Sequence, residues 1–486
     1  MAKLAAKEGR KAVLERSVEL CRKRGVIIPK FSQMRDPATV PAKIKSRLKN
    51  VGLWDVDPVN LFRITWKNDV KTGLFGGVNM LELPQELTGV QARIIGLVGK
   101  YFPTGAHKVG AAFGCLAPRL VTGEFDPTTQ KAVWPSTGNY CRGGAFDCAL
   151  LSTTAVAILP KEMSKERFDW LKSIGAEVIA TPGCESNVKE IYDKCWEIRK
   201  TRRDCVIFNQ FDEFGNGMWH YAVTARAIEE AFRKVQGPRG RLAGYVSATG
   251  SAGTIAAGDY LKKVFPGVKV AATEALQCPT LLLNGFGAHR IEGIGDKHIP
   301  WIHNVRNTDM IIAIDDESTM RCLRLFNEKQ GQQRLLKEGI KRELVNELPL
   351  LGISSICNLI ASIKLAKYYE LGKDDVIVTM LTDSAEMYCS RLTELREAHG
   401  AYTESQAGSD LERHLRGAGI DHLRELGYYD RKALHNLKYF TWVEQQGKTV
   451  DELNRLWDPG FWDEVFDQAD RYDRLIEEFN DRVGLL

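Results

Sequence analysis

The sequence predicts an α/β protein with mostly parallel sheets, and three observations predict it. Short runs rich in apolar and β-branched residues, among them KAVWP at 131–135, TAVAIL at 154–159 and MIIAI at 310–314, are separated by longer segments of helical spacing. That alternation continues to about residue 381, as crossovers between parallel strands demand. With 486 residues, 44% apolar and 27% charged, the chain has a globular composition and length enough for more than one domain, which excludes disordered or collagen-like structure.

Residues 1–60 read as a basic helix followed by a Pro-containing loop, IIPKFSQMRDPATVP. The first strand of the alternating region is 131–135 and the second 154–159, followed by a helix over 164–174 whose amino end is Ser164 to Arg167. Strand 177–180, a helix over about 185–199, strand 205–208 and helical spacing over 218–235 come next. Strand 242–247, a helix opening near Thr254 and strand 268–272 follow, then strands 310–314 and 376–381 with a helix over 354–369 between them. Residues 400–486 are helical, rich in Trp and Tyr, and without strand alternation.

The net charge of +5 is too small to argue for nucleic acid, and its distribution is uneven. Residues 1–50 hold 14 Lys and Arg against 4 Asp and Glu, whereas residues 401–486 hold 11 against 18. Such ends are solvated helix faces, or surfaces that attract each other or a neighbouring subunit. No apolar run approaches the roughly 18 residues of a membrane span, and MAKLAAKEGRK leads into no signal-type segment. A cytoplasmic protein without membrane or nucleic-acid partners is expected. The 11 cysteines stand singly, with no C-x-x-C pair and no cysteine–histidine cluster at zinc spacing, so reduced thiols and no metal site are expected.

Ligands of parallel sheets collect where strand carboxyl ends meet helix amino ends, and four turns of that kind hold unusual residues. Thr104-Gly105-Ala106-His107-Lys108 leads into the small-residue helix start Val109-Gly110-Ala111-Ala112. A lysine held in an apolar cleft has a lowered pKa and condenses with aldehydes; one that reaches solvent does neither. Ser136-Thr137-Gly138-Asn139, directly after strand 131–135, offers hydroxyls, backbone N–H groups and a helix amino end, which suit a carboxylate or simply cap the helix. Ala248-Thr249-Gly250-Ser251-Ala252-Gly253-Thr254 makes a phosphate cradle of backbone amides. It lacks both Gly-Lys-Ser/Thr and G-x-G-x-x-G, so it fits one phosphate rather than a nucleotide. Leu381-Thr382-Asp383-Ser384 ends the last strand with a carboxylate and hydroxyls, placed to meet a ring nitrogen or to cap a helix.

In this order the four turns resemble the fold-type II pyridoxal-phosphate enzymes, the superfamily of cysteine synthase, cystathionine β-synthase, threonine dehydratase and the tryptophan synthase β chain. The resemblance spans roughly residues 92–391. It implies a tryptophan synthase β-like fold: two three-layer domains with mostly parallel twisted sheets, plus a helical terminal extension. The expected division is a basic N-terminal extension (1–60), a large cofactor-binding domain (61–135 and 237–390), a small mobile domain with the carboxylate loop (136–236) and a helical C-terminal extension (391–486). It also implies that Lys108 holds the aldehyde of pyridoxal 5′-phosphate, that Asn139 bonds the 3′ oxygen, and that Gly250, Ser251, Ala252, Gly253 and Thr254 take the phosphate. Ser136, Thr137, Gly138 and Asn139 would take the substrate carboxylate. Gly105-Ala106-His107-Lys108 is similar to the tryptophan synthase segment in which a histidine lies beside the cofactor, so His107 is a phosphate neighbour or a structural histidine. Glu292-Gly293-Ile294-Gly295 and Gly352-Ile353-Ser354-Ser355 look like the G-I-G and G-x-S-S segments of cysteine synthases.

The sequence also departs from the family. The phosphate turn has Ala252 where the T-G-x-G-G-T pattern has glycine, and the E-T-G-A-G-Q-H pattern of the tryptophan synthase β chain is missing, which argues against indole chemistry. Alignment on Glu386-x-Tyr388 sets Asp383 opposite the family's usual serine, while residue type favours Ser384 as the pyridine partner. An aspartate keeps the ring nitrogen protonated; a serine leaves it neutral. The implied activity is β-elimination or β-replacement on an L-amino acid with a β-leaving group, through an aminoacrylate, with Lys108 removing the α-proton. That makes the chain a lyase or transferase of amino-acid metabolism and a homodimer; an ammonia-lyase, dehydratase or racemase using the same cofactor is the alternative, and a non-catalytic binder of this fold the third reading. The C-terminal extension is expected to cover the active-site mouth or a dimer contact, with Tyr439–Val443, Trp457, Phe461, Trp462 and Phe466 as buried anchors.

Overall fold

The computed structural model describes residues 2–136, 138–163, 165–183, 188–295 and 297–486. They divide into two compact units, one of Met1–Gly77, Tyr101–Arg226 and Pro459–Leu486, the other of Val78–Lys100 and Ala227–Asp458.

The first unit contains a four-stranded parallel sheet in the order Glu177–Thr181, Thr154–Pro160, Lys131–Pro135, Cys205–Ile207. Its two inner strands are almost wholly buried, the condition under which a parallel strand reads as a continuous apolar run. Val133, Val156 and Ile158 meet Ile191 and Ile198 of helix Val188–Thr201. The predicted amino ends of the two helices here, Ser164 and Glu185, lie outside the described residues. Helix Lys108–Val121 is buried on nearly every side, and glycine makes that possible. A Cβ on Gly110 would overlap the Trp219 ring, one on Gly114 the Gly215 carbonyl, and one on Gly143 would lie 2.8 Å from the backbone of Val109. Helices Phe214–Trp219 and Asn139–Leu150 therefore approach it more closely than any side chain allows.

Both chain ends close this unit. Arg22 of the basic helix Ala2–Arg24 donates to the carbonyls of Arg482 and Val483, and Asn480 exchanges two hydrogen bonds with the backbone of Ile28. Asp473 accepts the N–H groups of Phe31 and Ser32 at the start of helix Phe31–Arg35. Lys30 pairs with Glu477 at 2.9 Å and Arg482 with Glu15 at 2.5 Å, so the opposite charges of the two ends meet within one chain. Phe466 stacks on Tyr221 at 4.2 Å, and Phe461 and Trp462 meet Phe214 edge-on.

The second unit is built on a seven-stranded sheet in the order Leu423–Glu425, Met310–Ile314, Lys269–Ala275, Arg241–Ala248, Asp375–Leu381, Arg93–Val98, Met80–Leu83. The five central strands are parallel and the two edges antiparallel. Met310–Ile314 and Asp375–Leu381 are buried at every position, and helix Ile353–Tyr368 covers the sheet with a nearly all-buried surface. Every predicted strand is present within three residues of its predicted ends. The C-terminal extension is not purely helical, because Leu423–Glu425 completes the sheet edge. Trp442, Trp462 and Phe466 are buried as expected, whereas Tyr439 and Phe440 are exposed, because the π-helical turn Tyr439–Val443 gives the core only Thr441 and Trp442. Among the described residues no single helix is long and apolar enough to cross a membrane.

Candidate active site

Lys108 opens its helix at the end of a strained turn. Thr104 and Gly105 have φ of 70° and 71°, and a Cβ on Gly105 would lie 2.8 Å from the Trp54 ring. A buried β-branched residue in the left-handed region persists only where its surroundings enforce it. Lys108 is half-buried, and burial pulls its ammonium from 10.5 down to about 8. His107 beside it packs between two rings, its centroid 5.5 Å from that of the tilted Trp66 ring and 5.2 Å from that of His220, which it meets edge-on. Burial, then the charge of Lys108, hold His107 at about 3; burial, then His107 and Lys108, hold His220 well below its ordinary value. Both imidazoles are thus neutral around pH 7. His220 lies on the π-helical turn His220–Thr224, with Nδ1 2.8 Å from Thr224 Oγ1, and that hydroxyl accepts Trp66 Nε1–H at 3.0 Å.

The contact of Gly143 with Val109 lays helix Asn139–Leu150 against the helix that Lys108 opens, and so brings Ser136, Gly138 and Asn139 into the same unit as the amine. Thr137 lies outside the described residues. Ser136 and Asn139 are buried, and Ser136 Oγ accepts the Gly138 N–H at 3.2 Å. A Cβ on Gly138 would overlap Nη1 of Arg167, so that guanidinium would have to shift. Arg167 is 2% exposed and Arg142 4%, the latter lying over the Trp170 ring at 4.7 Å. Cys141 is buried; its thiol donates to the Gly138 carbonyl at 2.9 Å, and burial pushes its pKa up to about 12.

The other two turns belong to the second unit. After strand Arg241–Ala248 the chain is pinned by Thr249, whose N–H and hydroxyl both donate to the Thr273 carbonyl. Ala252, where the family pattern has glycine, takes the left-handed φ of 59°, at roughly 1–2 kcal/mol of strain. Left-handed Ala252 followed by right-handed Gly253 is the backbone sequence of an anion nest, and the Gly253 N–H donates to Ser251 Oγ at 3.4 Å. Tyr245 holds the far side by donating to the Thr254 carbonyl at 2.7 Å, and Gly250 lies against Gly293 and Ile294 of the G-I-G segment. Two residues past the end of the adjacent strand Asp375–Leu381, Asp383 is fully buried. Its Oδ2 accepts the Tyr388 hydroxyl at 2.7 Å, its carbonyl accepts the Gly352 N–H, and a Cβ on Gly352 would overlap its Oδ1. Ser384 is buried next to it.

Lys108, His107, Ser136, Gly138 and Asn139 are thus together in one unit, and residues 249–254, Asp383 and Ser384 at neighbouring strand ends in the other. The residues present are of the kinds an aldehyde-bearing phosphate ester needs: a half-buried amine of lowered pKa in one unit and a turn with a left-handed residue in the other. Sequence reasoning missed His220, Arg167 and Trp54. Only Gly138 and Gly105 hinted at the last two, as glycines where bulk from elsewhere must fit.

A family model described as pyridoxal-phosphate dependent enzyme matches residues 81–334. The probable cysteine synthase of Bacillus subtilis is 32% identical over 289 residues, covering 59% of this chain and 85% of that protein. A hydrogen sulfide-producing enzyme from Fusobacterium nucleatum aligns with a TM-score of 0.55 at 26% identity, over 68% of this chain and 92% of its own. O-acetylserine sulfhydrylase isoform 3 from Entamoeba histolytica aligns with a TM-score of 0.57 at 24% identity, over 70% and 94%, a likeness of fold.

Proposed function

The chain belongs to the pyridoxal-phosphate-dependent enzyme family, and on that premise we propose that it carries out β-elimination or β-replacement on an L-amino acid bearing a β-leaving group. The observation that supports this most directly is the half-buried Lys108 amine, pulled to about 8, beside a turn suited to a carboxylate. Lys108 would hold the cofactor aldehyde, the amides of Gly250 to Thr254 its phosphate, Asn139 its 3′ oxygen, and Asp383 or Ser384 its ring nitrogen. When bound, the cofactor supplies the electron sink that makes the α-proton acidic.

The chain's own residues do the rest. Ser136, Thr137 and Gly138 bind and orient the substrate carboxylate at a helix amino end, while neutral Lys108 takes the α-proton and Cβ releases its leaving group. Neutral His107 and His220 add no charge to compete with that amine for its proton. Closure of residues 136–236 against a cofactor domain of 61–135 and 237–390 would exclude water from the reacting atoms. A homodimeric, cytoplasmic enzyme belongs to the same proposal, with the C-terminal extension over the site mouth or at the dimer contact.

The protein should be yellow, and borohydride should fix the cofactor on Lys108, as peptide mapping reads. A wild-type protein that stays colourless with added pyridoxal phosphate ends the proposal. Incubation with serine, O-acetylserine and cysteine, followed by assay for keto acid and for new thioether or thiol amino acids, separates elimination from replacement. Loss of optical activity alone would point to a racemase.

A further inference from the structure

We propose that the second unit holds another small-molecule site, one that takes a free α-amino acid as its zwitterion and uses none of the residues assigned above. It is a cavity of about 220 Å³ at the carboxyl ends of strands Lys269–Ala275 and Met310–Ile314. In the sheet order Met310–Ile314 lies two strands from Arg241–Ala248, on the side away from Asp375–Leu381, so the cavity belongs to the half of the sheet that does not hold Asp383. Carboxyl ends of parallel strands are where such sheets collect ligands. At roughly 30 Å³ per water the volume holds about seven waters, close to the number of non-hydrogen atoms in serine or cysteine.

The chemistry of the lining selects the ligand. Its floor is apolar, with Leu276, Ile314 and Ile360. Around that floor stand two permanent cations, Lys364 and Arg413, and two anions, Asp315 and Asp421. Lys364 is committed to Asp421, donating to its carbonyl at 2.7 Å and to Oδ1 at 3.1 Å. Asp315 Oδ1 accepts from Gln277 Nε2 and from the Glu317 N–H, and its second oxygen bonds nothing among the described residues. Arg413 has neither a hydrogen bond nor an ion pair among the described residues. His414 is held 2.9 Å from Ser318 Oγ, and burial lowers its pKa, so it adds no charge at neutral pH. With charges balanced, a dianion such as phosphate gains little, whereas a zwitterion satisfies both free groups: carboxylate on Arg413, ammonium on Asp315, short side chain on the floor.

The wall is anchored. Lys367 donates to the carbonyls of Arg416 and Ala418, and His422, at φ 54°, is fixed by the Ala313 N–H that its carbonyl accepts. This wall, residues 413–422, lies outside the family match at 81–334.

The test is equilibrium dialysis of the full chain, loaded with cofactor, against labelled L-serine, with the visible spectrum of each sample recorded. The expected result is a binding event that leaves the spectrum unchanged, is weakened about tenfold or more by Arg413→Ala, is restored by Arg413→Lys, and is not displaced by inorganic phosphate. Arg413 is exposed and bonded to nothing, so its variants should fold. Arg413→Ala with unchanged silent binding, displacement by phosphate, or no serine bound beyond the event that moves the spectrum would overturn the proposal. It stands apart from the reading of Lys108: a spectrum that no amino acid moves would sink that reading and leave the silent site in place.

Discussion

Replacing Lys108 by Met should make the cofactor-free protein more stable, by an amount that changes with pH in one direction only. Burial lowers the ammonium from 10.5 to about 8, so at neutral pH the folded chain keeps a charge where its surroundings disfavour it. A fall of that size, at about 1.36 kcal/mol per pH unit, is about 3 kcal/mol, and the half-buried side chain makes this an upper bound because solvent screens it. The unfolded lysine titrates near 10.5, so between pH 8 and 10.5 the unfolded chain binds more protons than the folded one, and stability rises with pH. Below 8 both states are protonated and the destabilisation is complete; above 10.5 both are neutral and it is gone. Met keeps an unbranched apolar shape without the charge. Urea unfolding of both proteins at pH 7, 9 and 11 should show the Met variant ahead by about 1–3 kcal/mol at pH 7, with the gap closing by pH 11. A constant offset across that range, or a wild type that is the more stable at pH 7, would refute burial as the cause of the lowered pKa.

Gly143→Ala puts a methyl 2.8 Å from the Val109 backbone. Overpacking of about 1–3 kcal/mol should outweigh the roughly 1 kcal/mol gained in helix propensity, and a higher melting temperature would contradict it. Tyr388→Phe removes the hydroxyl that Asp383 Oδ2 accepts in a fully buried place, and chemical unfolding should register a loss of about 1–3 kcal/mol. Deleting residues 459–486 takes away Asn480, Asp473 and Phe466, and limited proteolysis should then cut within 101–226 while 227–458 stays resistant; equal resistance in both would show that the chain end is dispensable.

The sheet strands were legible because a strand buried on both faces has to be a short apolar run, as at 310–314 and 376–381. Arg93–Val98 escaped notice although it is as buried as the others. Its Gly96 lowers strand propensity, and the reason for that glycine, the Leu381 side chain of the next strand filling the space of a Cβ, is not written in the local sequence. At the site, the four turns were readable as residue types in order. What surrounds them was not: Arg167 reaches Gly138 across an intervening helix and strand, and His220 reaches His107 from over 100 residues away. Periodicity carries no information about contacts of that kind. Exposure of Tyr439 and Phe440 makes the complementary point, since aromatic residues in a π-helical turn can face outward while a neighbouring Trp supplies the anchor.

The interlocking of the chain's two extremities has a consequence for biosynthesis. The partners of Arg22, Ile28 and Phe31 lie 442 to 461 residues further along the chain and are made that much later. Closure of the first unit therefore waits until residues 473–483 have been made. A nascent polypeptide that stops short of them would lack the contacts that fasten its amino-terminal helices to the rest of the first unit.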